Sequence, residues 1–287
     1  ATGSAAGLTA QPTFRQTHDL AGKGGDFFMY VGIKEITDVV GGALNATFYG
    51  FFWQKFQQVF IGKDLRALGA SMALSKQGVS QRMFVHSGGT RDGVLGWFDA
   101  PPIAPELPGY APAGVRTASS IAMDFEKVLG ALEEIGKIAL SFQGAGDFGQ
   151  MFEAQTGVKF ADLKRSLGKR VDLLGTKLAD TADPTGGMTV IAALNSPDPL
   201  RSLFQRFSTM APNSFQTDAY QGFDVVSFPD AGVPMAMSIT DKRLVFGFDK
   251  DDMKKVLRRF KDDAGASADP RFQKAAARSP GKVSLFS

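Results

Sequence analysis

ITDKRLVFGFDKDDMKKVL, Ile239 to Leu257, is the stretch from which the fold is read. Leu244 to Phe248 is a short apolar run, and Asp249 after it has the position of a helix N-cap. Met253, Val256, Leu257 and Phe260 then recur at helical spacing and make one apolar stripe. On the other side, only Asp241-Lys242 separates the run from Pro234 to Thr240. A connection that short forces the two strands to pair antiparallel. Phe223 to Phe228 extends the meander through turns rich in Asp, Gly and Pro.

The same strand-then-helix pattern recurs upstream. Phe27 to Val31 precedes Ile36, Val39, Val40 and Ala43; Thr117 to Ala122 precedes a cap at Asp124 and a stripe of Phe125, Val128, Leu129 and Leu132. Thr189 to Leu194 precedes Asp198 as cap, Pro199, and a stripe of Leu200, Leu203, Phe204 and Phe207. KDLRALG (Lys63–Gly69) and ADLKRSLG (Ala161–Gly168) follow the first and second helical regions, so an internal repeat is expected. Ala70 to Leu74 and Val79 to His86 flank a turn at Ser75 to Gly78 and read as a hairpin. The class expected is α+β, with repeated strand-helix units, curved antiparallel sheets and helices packed on one face.

Boundaries follow from composition. Residues 1–25 are expected to be disordered or extended, residues 26–98 to form a first module, and 112–287 a second. Five prolines between Asp99 and Gly114 mark an extended linker or a rigid surface arm, and Ala179 to Gly187 a polar loop. The opening ATGSAAGLTAQ lacks the apolar centre of a signal peptide, although the remnant of a cleaved one would look the same. The closing GKVSLFS, Gly281 to Ser287, alternates as a strand does and is expected to pair in the second sheet.

Across 287 residues, 44% hydrophobic and 21% charged residues describe an ordinary globular chain. A formal charge of +3 is too slight to imply nucleic acid. No uninterrupted apolar run is long enough to span a membrane. The absence of cysteine rules out disulfides, thiolate metal sites and cysteine nucleophiles. Phe outnumbers Tyr and Trp, 25 against 4 and 2, which points to thick apolar cores or an apolar cavity.

Chemistry is sparse. Gly144-Ala145-Gly146-Asp147-Phe148-Gly149 spells a dinucleotide motif, but the segment before it reads as a helix where that motif needs a strand. Asp172, at about the distance of a ribose-binding carboxylate, is not evidently at a strand end. His18 lies in the polar N-terminal segment; His86 ends a strand beside Ser87, and neighbouring strand residues point to opposite faces, so they make no triad. No cofactor or metal is expected. The carboxylate pairs Glu133-Glu134, Asp251-Asp252 and Asp262-Asp263 sit beside basic residues and read as solvated helix surface.

FYGFFWQKFQQVF is the exception, with Phe48, Tyr49, Phe51, Phe52, Trp53, Phe56 and Phe60 within one helical stretch. The preferred reading buries this helix against the first sheet; the alternative makes it a surface for an apolar ligand or a partner. Lys254, Lys255, Arg258 and Arg259 offer a possible contact to an anionic surface, against the plainer reading of a solvated helix face.

Five segments share a further likeness: TGVKFADLKRSLG, GGMTVIAALNSPDPLRSLFQRF, AYQGFDVVSF, ITDKRLVFGFDKDDMKKVL and SADPRFQKAAARSPGKVSLF. In this order, residues 112–287 resemble a bacterial family known only as a domain of unknown function, whose members are mostly exported or envelope-anchored. The resemblance implies a location outside the cytoplasm and no assigned reaction. The leading expectation is a non-enzymatic extracytoplasmic binding or assembly module, with another envelope protein as partner. A carrier of a lipid or other apolar molecule in a Phe-lined cavity is the alternative, and an unrecognised hydrolase the third.

Overall fold

The computed structural model describes residues 7–45, 47, 49–76, 78–104, 109–142, 147–177, 187–229, 234–262 and 285–286. The chain divides into two compact units, Ala1–Gly96 and Trp97–Ser287.

In unit 1 a 3-10 turn at Leu8–Ala10 precedes a helix, α1 (Pro12–Thr17), which runs into a π-helical turn at His18–Gly22. The expectation of a disordered or extended start is corrected here from Pro12 onward. Thr17 and Ala21 are buried, and the Phe14 ring lies 6.0 Å from Phe28 and 5.2 Å from Tyr30. A six-residue helix is marginal by itself, and tertiary packing supplies what propensity lacks. Strand β1 (Phe27–Gly32) leads directly into α2 (Ile33–Leu44) and then α3 (Tyr49–Phe56). A long hairpin, β2 (Leu65–Ser75) and β3 (Gly78–Ser87), completes a three-stranded antiparallel sheet in the order β1-β2-β3.

Unit 2 is built on one antiparallel sheet of eight strands. Its elements are β4 (Thr117–Ala122), α4 (Phe125–Phe142), α5 (Phe148–Thr156), α6 (Phe160–Ser166), β5 (Leu167–Gly175) and β6 (Met188–Leu194). There follow α7 (Asp198–Met210), β7 (Gln216–Tyr220), β8 (Phe223–Phe228), β9 (Met235–Ile239), β10 (Arg243–Gly247), α8 (Lys250–Asp262) and β11 (Leu285–Phe286). The sheet order is β11-β4-β5-β6-β10-β9-β8-β7. The Asp241-Lys242 connection pairs β9 with β10 as expected, Leu244 opposite Ile239. Of the closing stretch, Leu285 and Phe286 pair with Ile121 and Ser120; the rest of it lies outside the described residues.

The apolar stripe of α8 builds this unit's core. Met253, Val256 and Leu257 of α8 are fully buried against Leu174, Ile191, Val225, Ala236 and Val245. Each such side chain contributes about 1.5–3 kcal/mol through apolar burial. Asp249 caps the helix, its Oδ1 accepting from the amides of Asp251 and Asp252 at 2.9 and 3.1 Å. Burial opposes the charge on Asp249, but those amides and Lys177 outweigh it and hold the carboxyl below its ordinary range. Asp124 caps α4 as expected, whereas Asp198 is the first residue of α7 and makes no side-chain cap. Val171 and Ala192, paired on the opposite face, are also buried, so in this unit burial extends to both sides of the sheet.

The proline-rich stretch is corrected too. It is no free linker, because Ala100, Ala111 and Val115 are buried and Tyr110 packs on the α8 core.

Unit 1 supplies a direct test of the α1 packing. A Cβ at Gly69 would lie 2.2 Å from Thr17 Cγ2, so Gly69→Val is expected to destabilise unit 1 by about 1–3 kcal/mol in urea unfolding. Gly42→Ala, on α2, meets open space and is expected to stabilise by up to about 1 kcal/mol.

Candidate functional site

The two faces of the unit 1 sheet are unequal. Register places Phe28, Tyr30, Ala67, Gly69, Phe84 and His86 on one face, where α1 and its π-turn cover them. His18 belongs to this cover, with its ring 5.1 Å from Phe28. The other face carries Phe27, Met29, Val31, Leu68, Ala70, Met72, Leu74, Met83 and Val85, and by register also the polar Gln81, opposite Met72. There Phe27 is 65% exposed, Met29 60%, Leu74 59% and Met83 74%. Large apolar side chains gathered on one face and open to water mark a surface that something else covers.

The aromatic helix adds to this. Tyr49, Phe51 and Phe52 are exposed, while Trp53, Phe56 and Phe60 form a half-buried ring stack with centroids 5.7 and 4.8 Å apart. Phe48 lies outside the described residues. The preferred reading, a helix buried between the first sheet and its neighbour, is thus corrected for its first turn. The reason lies in how α2 packs: it buries Thr37 and Gly41 instead of its apolar stripe, leaving Ile36 and Val39 exposed. Gly41 permits this, since a Cβ there would come within 3.3 Å of Trp53 Nε1.

Unit 2 has a cleft of about 350 Å³ beneath α7. Phe204, Val226, Met237 and Ile239 make its apolar lining, and Arg201 and Asp224 stand at its rim. No residue of α7 is fully buried, and its contribution to the cleft is Phe204 with the polar Gln205 and Ser208 and the charged Arg201. Arg201 is engaged by Asp241 at 2.8 Å.

The polar groups are largely occupied with one another. Asp172 is fully buried in β5 and accepts hydrogen bonds from the Tyr110 and Ser120 hydroxyls and from Arg170 Nε at 2.9 Å. Arg243 stacks on the Tyr110 ring at 4.6 Å. Asp252, expected to be solvated, is also buried; it accepts from the Thr176 hydroxyl at 2.5 Å and pairs with Lys255. Glu133 is mostly buried between Lys164, at 2.7 Å, and Lys137. These carboxylates brace segments distant in sequence, and pattern reading along the chain had no means of pairing them.

Asp147 caps α5 through the Gln150 amide, and Gly144 to Gly146 lie outside the described residues. α4 precedes them, so the glycine motif does not follow a strand. His86 is buried, and among the described residues its Nδ1 has no hydrogen-bond partner. Among the described residues, no three His, Asp or Glu side chains gather as metal ligands. In the basic run, Lys254 lies over the Tyr220 ring at 5.4 Å, Arg258 donates to the Tyr220 hydroxyl at 3.0 Å, and Lys255 is held by Asp252. Much of that charge is therefore engaged within unit 2. No helix among the described residues is long and apolar enough to cross a membrane. Compared with family models, curated proteins and solved structures, the chain has no match in any of the three.

The Asp172 network makes a pH prediction. Burial first, and the Asp172 charge second, push the Tyr110 phenol above its ordinary range. The fold favours the neutral phenol, so this stabilisation is complete below about pH 10, where an unfolded Tyr keeps its proton, and declines above it. Tyr110→Phe is expected to cost about 1–3 kcal/mol at neutral pH. It is also expected to flatten the alkaline loss of stability, measured by urea unfolding across a pH series; an unchanged alkaline slope would contradict the assignment.

Proposed function

We propose that the chain is a non-enzymatic assembly module whose docking surface is the open apolar face of the unit 1 sheet. The observation behind this reading is the exposure of Phe27, Met29, Leu74 and Met83 on one uncharged face. A surface without charges can pack against a copy of itself with no ion to desolvate, and a two-fold axis brings the same patch onto itself. A second copy of the chain is therefore the partner this face fits. At ordinary strand spacings, strands of 6, 11 and 10 residues make a face of about 450 Å². Two copies would bury about 900 Å², at the low end for a specific interface, so a weak, concentration-dependent association follows.

The resemblance of residues 112–287 to exported proteins supports a site of action outside the cytoplasm, in the cell envelope. The mutual engagement of Asp172, Tyr110, Ser120 and Arg170, and of Asp252, Thr176 and Lys255, favours a structural use of the buried carboxylates over catalysis. A second reading, a carrier of an apolar molecule, is favoured by the cleft under α7 with its floor of Val226, Met237 and Ile239.

Sedimentation velocity on the full chain tests the first reading. The dimer fraction is expected to rise with concentration, and Met83→Lys to weaken association at least about tenfold. Because Met83 is exposed, the substitution is expected to leave folding stability within about 0.5 kcal/mol. A wild-type chain that stays monomeric throughout, or a Met83→Lys chain that associates as wild type, overturns the proposal.

A further inference from the structure

The cleft beneath α7 carries a charge of its own. Arg201, Phe204, Gln205 and Ser208 fall at i, i+3, i+4 and i+7, so a single face of α7 looks into it. Three of these four are polar, yet the sheet below them is apolar. Register places Val226 opposite Met237, and Ile239 follows on the same face of β9. A polar helix face does not pack into an apolar floor, and about 350 Å³ stays open between them, the small end of ligand-sized pockets. Phe204 is the aromatic of the lining, and Phe215 braces its ring edge to face, with centroids 5.5 Å apart.

Asp224 stands two residues before Val226 on the same face of β8, at the rim of this space. It is exposed, and among the described residues its carboxylate has no hydrogen-bond or ion-pair partner. Arg201 does not fill that role, because Asp241 engages it at 2.8 Å and Asp198 lies 3.8 Å away. The charge left over at the cleft is therefore negative.

We infer that the cleft under α7 binds a small organic cation, an ammonium group on an apolar body, with Asp224 as its counter-ion. The apolar body is received by Val226, Met237 and Ile239. The ammonium is drawn to the Asp224 carboxylate and to the Phe204 ring, both of which attract a cation. An anion of the same shape would be repelled by Asp224 and would have to take Arg201 from Asp241. Such a site rests on the carrier reading above and gives its cargo a charge.

Three probes sharing one apolar body test this: phenylbutylamine, phenylbutanol and phenylbutyrate, titrated into the full chain with isotope-labelled methionine and isoleucine methyls. The amine is expected to bind at least about tenfold more tightly than the alcohol, and the carboxylate least tightly. Resonance shifts are expected at Met237 and Ile239, with Met253, fully buried under α8, unchanged. Asp224→Asn is expected to bring the amine down to the affinity of the alcohol and, the residue being exposed, to leave urea unfolding unchanged. On the unaltered chain, added salt is expected to shrink the advantage of the amine, since an exposed carboxylate is screened. Equal affinity for amine and alcohol overturns the charged cargo and leaves the carrier reading standing, whereas binding of none of the three overturns both. A preference for the carboxylate, shifts away from Met237 and Ile239, or an amine advantage that survives Asp224→Asn or salt also overturns the proposal.

Discussion

A sheet has two faces and two edges, and each must be met by something other than water if it is apolar or carries unpaired backbone. Unit 2 meets this constraint within itself. α8 covers one face with Met253, Val256 and Leu257, Val171 and Ala192 are buried on the other, and β11 occupies the outer side of β4. Unit 1 meets half of it. α1 and the following turn cover the face of Phe28, Tyr30 and Gly69, while Phe27, Met29 and Met83 face outward. The docking surface is a consequence of that shortfall.

Elements set by local rules were legible in the sequence. Alternation over Phe223–Phe228 and Thr117–Ala122, the two-residue turn before β10, and the caps at Asp124 and Asp249 depend on residues within a few positions of one another. What failed depended on partners far along the chain. α1 has a single large aromatic in six residues and is held by the approach of Thr17 to Gly69, a contact between separate elements. Tyr110 and Ser120 reach Asp172 across 62 and 52 positions, so no spacing rule could have joined them.

The aromatic helix shows a different limit. Seven aromatics in one stretch signal apolar surface, but which part is buried depends on how much neighbouring surface exists to cover it. α2 presents Thr37 and Gly41 inward, and the first turn of α3 is left open. Likewise, Asp252 reads as one member of an exposed pair until Thr176 and Lys255 are seen around it. Composition counts the groups that need partners; only the fold assigns them.

The central claim is that one face of the unit 1 sheet is open in the single chain, and the methionines report on it directly. Met29 and Met83 lie on that face, Met210 is exposed on α7, and Met253 is fully buried in the unit 2 core. Peroxide oxidation of the dilute full chain, followed residue by residue by mass spectrometry, measures their access to solvent. The account predicts that Met29 and Met83 oxidise at a rate close to that of Met210 and far faster than Met253. Oxidation of Met29 and Met83 as slow as that of Met253 would show the face to be covered within the single chain, and would contradict it.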